Sequence, residues 1–504
     1  MRAWRILLRV LAAAAASLLF AGTALASWNA NGSGHGYSGA RTLGSPAAPT
    51  VSASGRQVTV NWSAPSTGAP STGYVVKRYD DSNNQATIGS GCSGTVTGTS
   101  CTETSVPTGT WTYTVTAARG NWRGTESPKS GSVTIAAPEL SLSPTTVNSF
   151  PTSLSGQIAS FTASQTITYR LDDPSTGTVL TGSTTPSTVP ANGQATASVT
   201  IPAGTSNGSH TVYAVGSGGE TASRSISVNA PKVTASVIAK SNGGRPGRIR
   251  QGGTYYVFAN VSGSGSPPTG LASLTADASA ITTGQTAAPL SNGSFTVGGQ
   301  SYNYRSAVLT ANATLSEGSK AYTVRLTDSG GTVTNSNYSV TVDNSRPTGT
   351  DVQTTNVSGG TAGRAEPGDT MTLTFSEQME EISVLAGWSG AATNVVVRLN
   401  NATNDTVTIY NATNTTLLPL GTVNLGRSDY TASNRTFGAT GTPSTMVMNG
   451  NQVTLTLGTA SGSVTTAAAA SAMTWAPATG ATDVAGNTAQ TTTATESGAS
   501  DLNF

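Results

Sequence analysis

One strand pattern occurs three times in this chain and constrains it more than any other feature. Residues 109–117 read GTWTYTVTA, with Tyr113-Thr-Val115 at the centre. The same core returns as His210-Thr-Val212 in GSHTVYAV and as Tyr322-Thr-Val324 in KAYTVRL. Alternate residues of such a stretch share one face of a strand. The copies lie 97 and 112 residues apart, near the roughly 100 residues of one immunoglobulin-like sandwich. Each is followed by a glycine-bearing turn, a last strand (SGSVTI, SRSISV or NYSVTV) and a short junction ending in Pro138, Pro231 or Pro347. Two closing strands and a proline stop, given three times, predict sandwiches joined end to end. A fourth segment follows the third junction.

Composition agrees. Charged residues make up only 10% of the 504 residues and hydrophobic ones 36%; a disordered chain of this length would carry more charge. Thr, Val, Ser and Gly in alternating runs favour strands and turns over helices. Residues 1–26 are expected to be a signal peptide. Arg2, Arg5 and Arg9 precede an apolar run from Leu11 to Phe20, and Ala24-Leu25-Ala26 sets cleavage between Ala26 and Ser27. Removing three of 25 basic residues leaves 22 against 23 acidic ones, a net charge of −1. The nearest approach to a basic patch, Arg245, Arg248 and Arg250 in GGRPGRIRQGG, is expected to be a solvated loop. Nucleic-acid binding, which needs clustered Lys and Arg, is not expected. In a secreted chain the two cysteines, Cys92 and Cys101, are expected to form a disulfide.

The fold expected is all-β: tandem Ig-like and fibronectin type III-like sandwiches behind a cleaved signal peptide. Residues 27–45 are glycine- and serine-rich and read as a flexible segment that includes His35. The modules then run 46–137, 138–230, 231–344 and 345–504. In the first, Val58, Val60 and Trp62 share a strand face, followed by Tyr74, the tyrosine strand and a serine-rich final strand. That order resembles a fibronectin type III domain, and the resemblance makes Trp62 and Tyr113 core and corner residues. In the second module His210 takes the place of Tyr113 and is expected to act as a corner residue. The third has thin apolar faces and a modest expected core. The fourth places FSEQM (375–379) far from ATDVAGN (481–487) and is similar to bacterial Ig-like domains of the S-layer kind. It is longer than one sandwich, which suggests a hairpin inserted at Asn400–Leu425.

No motif names a reaction. Gly387-Trp-Ser389-Gly-Ala391 nearly matches a nucleophile elbow but lacks the last glycine and a following helix, so it reads as a turn. Glu377, Glu380 and Glu381, and the pairs Asp172-Asp173 and Asp80-Asp81, are the carboxylates that a glycosidase would draw on. Hard oxygen ligands suit calcium; Asp343, Asp351, Glu366, Asp369 and Asp483 are its candidates, set against the turn chemistry of PGD and TDxAG. No cofactor is expected; turn chemistry is the preferred reading of these residues and calcium the alternative. The fourth segment has no lysine and so cannot carry a Lys–Asn isopeptide bond. Trp122, Trp388, Tyr410 and Tyr430 are the aromatic residues that a sugar site would use. Leu418-Pro-Leu-Gly-Thr422 departs from the order of a sorting signal.

The expected protein is secreted and extracellular or at the cell surface: a non-enzymatic structural or adhesion protein. A carbohydrate-binding array or a polysaccharide-active accessory protein is the alternative. The expected partners are cell-wall or matrix glycans and other surface proteins. Poorly charged edge strands also suggest self-assembly, or a covering of glycans that prevents it.

Overall fold

The computed structural model describes residues 41–500 and 502. The expected signal peptide, its cleavage site at Ala26 and Ser27, and His35 lie outside them. The described chain is all-β, a series of sheet groups with a single helical turn, Glu381–Val384. It forms two compact units, one containing most of the first sheet pair and the other the chain from Thr134 on.

In the first pair, Thr50–Ser54, Gln57–Asn61 and Ser100–Glu103 form one sheet. Gln85–Ala86, Gly73–Tyr79, Gly109–Arg119 and Trp122–Glu126 form the other, which Val133–Ile135 joins by pairing with Gly109–Arg119. Alternation decides which side chains go inside. Val58, Val60 and Trp62 are buried, as are Tyr74 and Val76; the Trp62 and Tyr74 rings meet edge to face at 5.4 Å. Cys92 and Cys101 are bonded, with Cα atoms 5.3 Å apart.

The second pair sets Thr181–Thr185, Ala195–Ile201, Thr152–Ala159 and Glu139–Ser143 against Thr146–Val147, Thr221–Val228, Gly208–Gly216, Ile167–Leu171 and Thr178–Val179. In the third group one long strand, Ala288–Val297, pairs first with Leu271–Asp277 and then with Gln300–Ser306. Both layers thereby become one nine-stranded sheet. The core expected to be modest here is filled by Tyr255, Tyr304 and Tyr322 among its aliphatic residues.

The last group is a single ten-stranded sheet. Asn400–Leu425, the expected inserted hairpin, contains both Thr406–Asn411 and Leu417–Asn424, which follow Thr393–Asn400 as consecutive neighbours along the sheet path. Leu418 and Leu420, from the stretch that resembles a sorting signal, are buried. Trp475 is fully buried, its ring 4.8 Å from that of Phe375, and its indole N–H donates to the Leu420 carbonyl at 2.7 Å.

The repeated strand position has one job in all three copies: its polar tip reaches another element. The Tyr113 hydroxyl donates to Glu103 at 2.7 Å. His210 Nδ1 lies 2.8 Å from Asp172, and the Tyr322 hydroxyl lies 3.1 Å from the Ser236 hydroxyl. Glu103 is fully buried and also holds Arg78 at 2.6 Å. The polar end of a buried aromatic side chain usually finds a partner, and a cross-strand anchor provides one here.

Candidate functional site

The chemistry-bearing side chains gather where the third and fourth sheet groups meet. Two segments build the junction. One is the loop from Lys240 to Arg250; the other is Glu377–Glu381, which continues the FSEQM stretch after strand Thr370–Phe375. Lys240 Nζ lies 2.7 Å from Glu380 Oε2, with both side chains under a tenth exposed, and it also donates to the Val484 carbonyl. The Arg245 backbone N–H donates to Glu380 at 3.0 Å. Its guanidinium grips Glu381, with Nε 3.1 Å from each carboxylate oxygen. Arg248 reaches Asp343 at 3.3 Å. The loop expected to be solvated is therefore an ionic clamp. A lysine buried without its carboxylate would be strongly destabilising, so each partner fixes the other's place.

Beside the clamp stand Asp343, Glu377 and Asp483, whose ligand atoms lie within 4.8 Å of one another. Asp343 follows strand Val333–Val342. Asp483 is fully buried in the ATDVAGN turn, where it accepts the Ala485 and Asn487 backbone N–H groups at 2.9 and 2.7 Å and the Asn487 side-chain amide at 2.8 Å. The Asn487 amide also donates to the Asp343 carbonyl at 2.8 Å, tying the turn to the junction. Burial raises the Asp483 carboxyl above the usual carboxylate range despite these donors. Glu377 is pushed up to about 7, chiefly by burial and then by the charges of Asp483 and Asp343. Negative charge is therefore crowded here, and the Arg248 guanidinium at Asp343 offsets it only in part. Ligands of one calcium ion, each 2.3–2.6 Å from it, stand at most about 5 Å apart, so these three oxygens fit such an ion.

Of the five calcium candidates, two converge and three do not. Asp351 accepts from the Ser497 backbone and the Gln353 amide, holding the last strand in place. Glu366 and Asp369 lie at the far end of strand Thr370–Phe375 from Glu377, and that six-residue strand alone spans about 20 Å. Asp369 is fully buried and accepts the Val357 and Glu366 backbone N–H groups; Asp405, also fully buried, staples Tyr430 and Thr431 in the same way. Glu377, read as a hydrolytic candidate, is the third member of the acidic cluster. The two residues with it are split between clamp partners: Glu380 goes to Lys240 and Glu381 to Arg245. The sequence signal for the clamp was four basic residues within 240–250 and two consecutive acids at 380–381; only their pairing was hidden.

A second constellation has the members of a catalytic triad and the wrong geometry. His210 Nδ1 faces Asp172 at 2.8 Å, while Nε2 faces the Ser206 carbonyl at 2.8 Å and its hydroxyl at 3.3 Å. A general base needs a free lone pair at Nε2. Here both nitrogens point at acceptors, the arrangement of an imidazolium. Burial lowers the His210 pKa, but the bonds to Asp172 and Ser206 outweigh it and the net shift is upward.

Among the aromatic candidates, Trp388 and Tyr430 are buried, and Tyr410 lies under Arg398, whose guanidinium carbon is 3.6 Å from the ring centre. Trp122 is 70% exposed. No helix among the described residues is long and apolar enough to cross a membrane.

No protein-family profile matches the chain, and no curated protein matches it. Among solved structures it is similar to FdeC, an Escherichia coli adhesin, at 15% identity over 61% of this chain and 99% of that one, with a TM-score of 0.22. It is similar at 14% identity to a tetra-tandem repeat in the extending region of a large adhesion protein, over 82% of this chain and 97% of that one, with a TM-score of 0.20. It also matches a structure of titin kinase and its flanking domains at 13% identity, spanning 28% of this chain but only 29% of that one, with a TM-score of 0.17. Likeness this distant identifies neither ligand nor activity.

Proposed function

We propose that the chain is a secreted, non-enzymatic surface or matrix protein whose β-sandwiches serve as spacers and contact surfaces. The observation that carries this reading is the Lys240–Glu380 pair, buried between two successive sheet groups. A flexible string of beads has no use for a desolvated ion pair at a joint. A spacer that must hold a fixed register does, because a buried pair admits few alternative orientations. The preceding joint supports the same reading. The buried Asp328 accepts the Phe150 backbone N–H at 2.8 Å, and Thr332 donates to the Phe150 carbonyl at 2.7 Å. Gly270, at φ +86°, lets that joint close, since a Cβ there would lie 1.9 Å from the Asn148 carbonyl oxygen.

Calcium belongs to this reading as a further brace on the third joint. Asp343, Glu377 and Asp483 would hold it, and the ion would offset the negative charge crowded there. Its role would be electrostatic, cancelling repulsion between carboxylates from both sides of the joint.

The reading is tested by spin labels placed on the third and fourth sheet groups of the full chain, with the distance distribution measured by pulsed dipolar spectroscopy. One narrow distribution is expected. A broad one, typical of a free hinge, would overturn the spacer reading.

A further inference from the structure

The third sheet group carries a cluster of rings outside its main core. Tyr256 and Phe258 on strand Thr254–Ser262, Phe295 on Ala288–Val297 and Tyr302 on Gln300–Ser306 pack together, apart from the residues that fill the interior. Phe258 is the base, its ring centre 5.9–6.0 Å from each of the other three. Tyr256, Phe295 and Tyr302 remain half-buried. Arg305 lies between two of them, its guanidinium carbon 4.3 Å from the Tyr256 centroid and 4.5 Å from that of Phe295. The arrangement is held in place: Gly293 makes room for the Phe295 ring, since a Cβ there would lie 2.6 Å from the ring tip.

Arg305 is the feature that asks for a ligand. Its side chain forms no ion pair or hydrogen bond among the described residues, unlike Arg78, Arg245 and Arg398. Stacking between rings fixes the plane of a guanidinium and leaves its edge donors unused, and that edge matches a carboxylate in bidentate fashion. We infer that this face binds a carboxylate-bearing polysaccharide, with sugar rings lying on the aromatic side chains and a uronate carboxylate on Arg305.

Two arguments favour a polysaccharide over the other occupants of such a face. An enclosed small-molecule site is concave, whereas this one is the outside of a sheet. A stable protein partner covers about 800 Å² on each side. Three half-buried rings over a buried Phe258, at 150–250 Å² each when fully exposed, offer well under half of that. A polymer of small apolar-faced units, each with one negative charge, suits both the area and the lone cation. The inference concerns a different face from the joints and stands whether or not they are stiff.

The test uses the full chain and affinity electrophoresis through gels containing polygalacturonate, or its fully methyl-esterified form, which has the same backbone without the charge. Retardation by the acidic polymer alone is expected. Arg305→Gln should weaken it about 10- to 100-fold. Arg305→Lys, which keeps the charge but loses the planar fork, should fall between, and Tyr256→Ala with Phe295→Ala should abolish it. Unchanged thermal unfolding of the Arg305→Lys protein would separate binding from folding. Absence of retardation, equal retardation by both polymers, or full retention by Arg305→Gln would each overturn the inference.

Discussion

Replacing Glu377 with Gln should stabilise this protein at alkaline pH when divalent cations are removed, the reverse of what deleting a charged joint residue usually does. Burial and the charges of Asp483 and Asp343 raise Glu377 from its ordinary 4.5 to about 7 in the folded state. Below the lower value the group is protonated whether the chain is folded or not, and it costs nothing. As pH rises through the interval, the unfolded chain releases the proton first, so stability falls until the folded pKa is passed. A rise of that size corresponds to about 3 kcal/mol at most. Glu377 is only partly buried, so solvent screening brings the expected cost down to about 1–2 kcal/mol. The titration is shared with Asp483, whose carboxyl burial also raises. Gln keeps the shape and hydrogen-bonding capacity of the protonated acid and abolishes the charge. Calorimetry of the full chain in chelator should therefore show the last transition of Glu377→Gln raised by about 2–8 °C near pH 8 and unchanged near pH 4. Millimolar calcium should raise that transition in the parent protein and leave the variant where it was. A variant no more stable than the parent in chelator at alkaline pH would refute the repulsion argument. A variant that responds to calcium as strongly as the parent would refute the placement of the ion.

Other perturbations follow from the same geometry. Lys240→Met leaves Glu380 buried without its cation and should cost about 3–5 kcal/mol, most of it recovered by adding Glu380→Leu; chemical denaturation of both variants checks this. His210 has a raised pKa, so its contribution is complete below the unfolded value of about 6.5 and is lost as pH rises through the folded value. Comparing the pH–stability profile with that of His210→Gln should show that component disappear. Replacing Cys92 and Cys101 with Ser opens a short loop and should cost the first sandwich about 2.7 kcal/mol in the chain-entropy model, readable as a lower unfolding temperature for that unit.

How much of this was written in the sequence depends on the range of the interaction. Strand faces repeat every second residue, so Val58, Val60 and Trp62 declared their burial locally, and Ala195 to Ile201 did so as cleanly. The ATDVAGN turn was also legible, because an aspartate that staples the N–H groups two and four residues ahead is a local device. The single sheets of the last two groups were not. Nothing in APLSNGSFTV announces that one half of the strand will pair with Leu271–Asp277 and the other half with Gln300–Ser306.

The junction was hidden for a different reason. Glu377, Glu380 and Glu381 looked like one cluster because they are neighbours in sequence. Folding separates them by partner: Glu377 turns to Asp343 and Asp483, Glu380 to Lys240 and Glu381 to Arg245. The last two pairs span 140 and 136 residues. A chain with so few charges has little reason to bury any of them, since desolvating an ion costs more than an aliphatic contact gains. Burial of this pair at a joint is therefore more informative than the same pair would be in a highly charged protein. On the spacer reading proposed above, it marks the place where relative orientation, rather than stability alone, is specified. The scarcity of charge that made the sequence look mute about function is what gives the few placed charges their meaning.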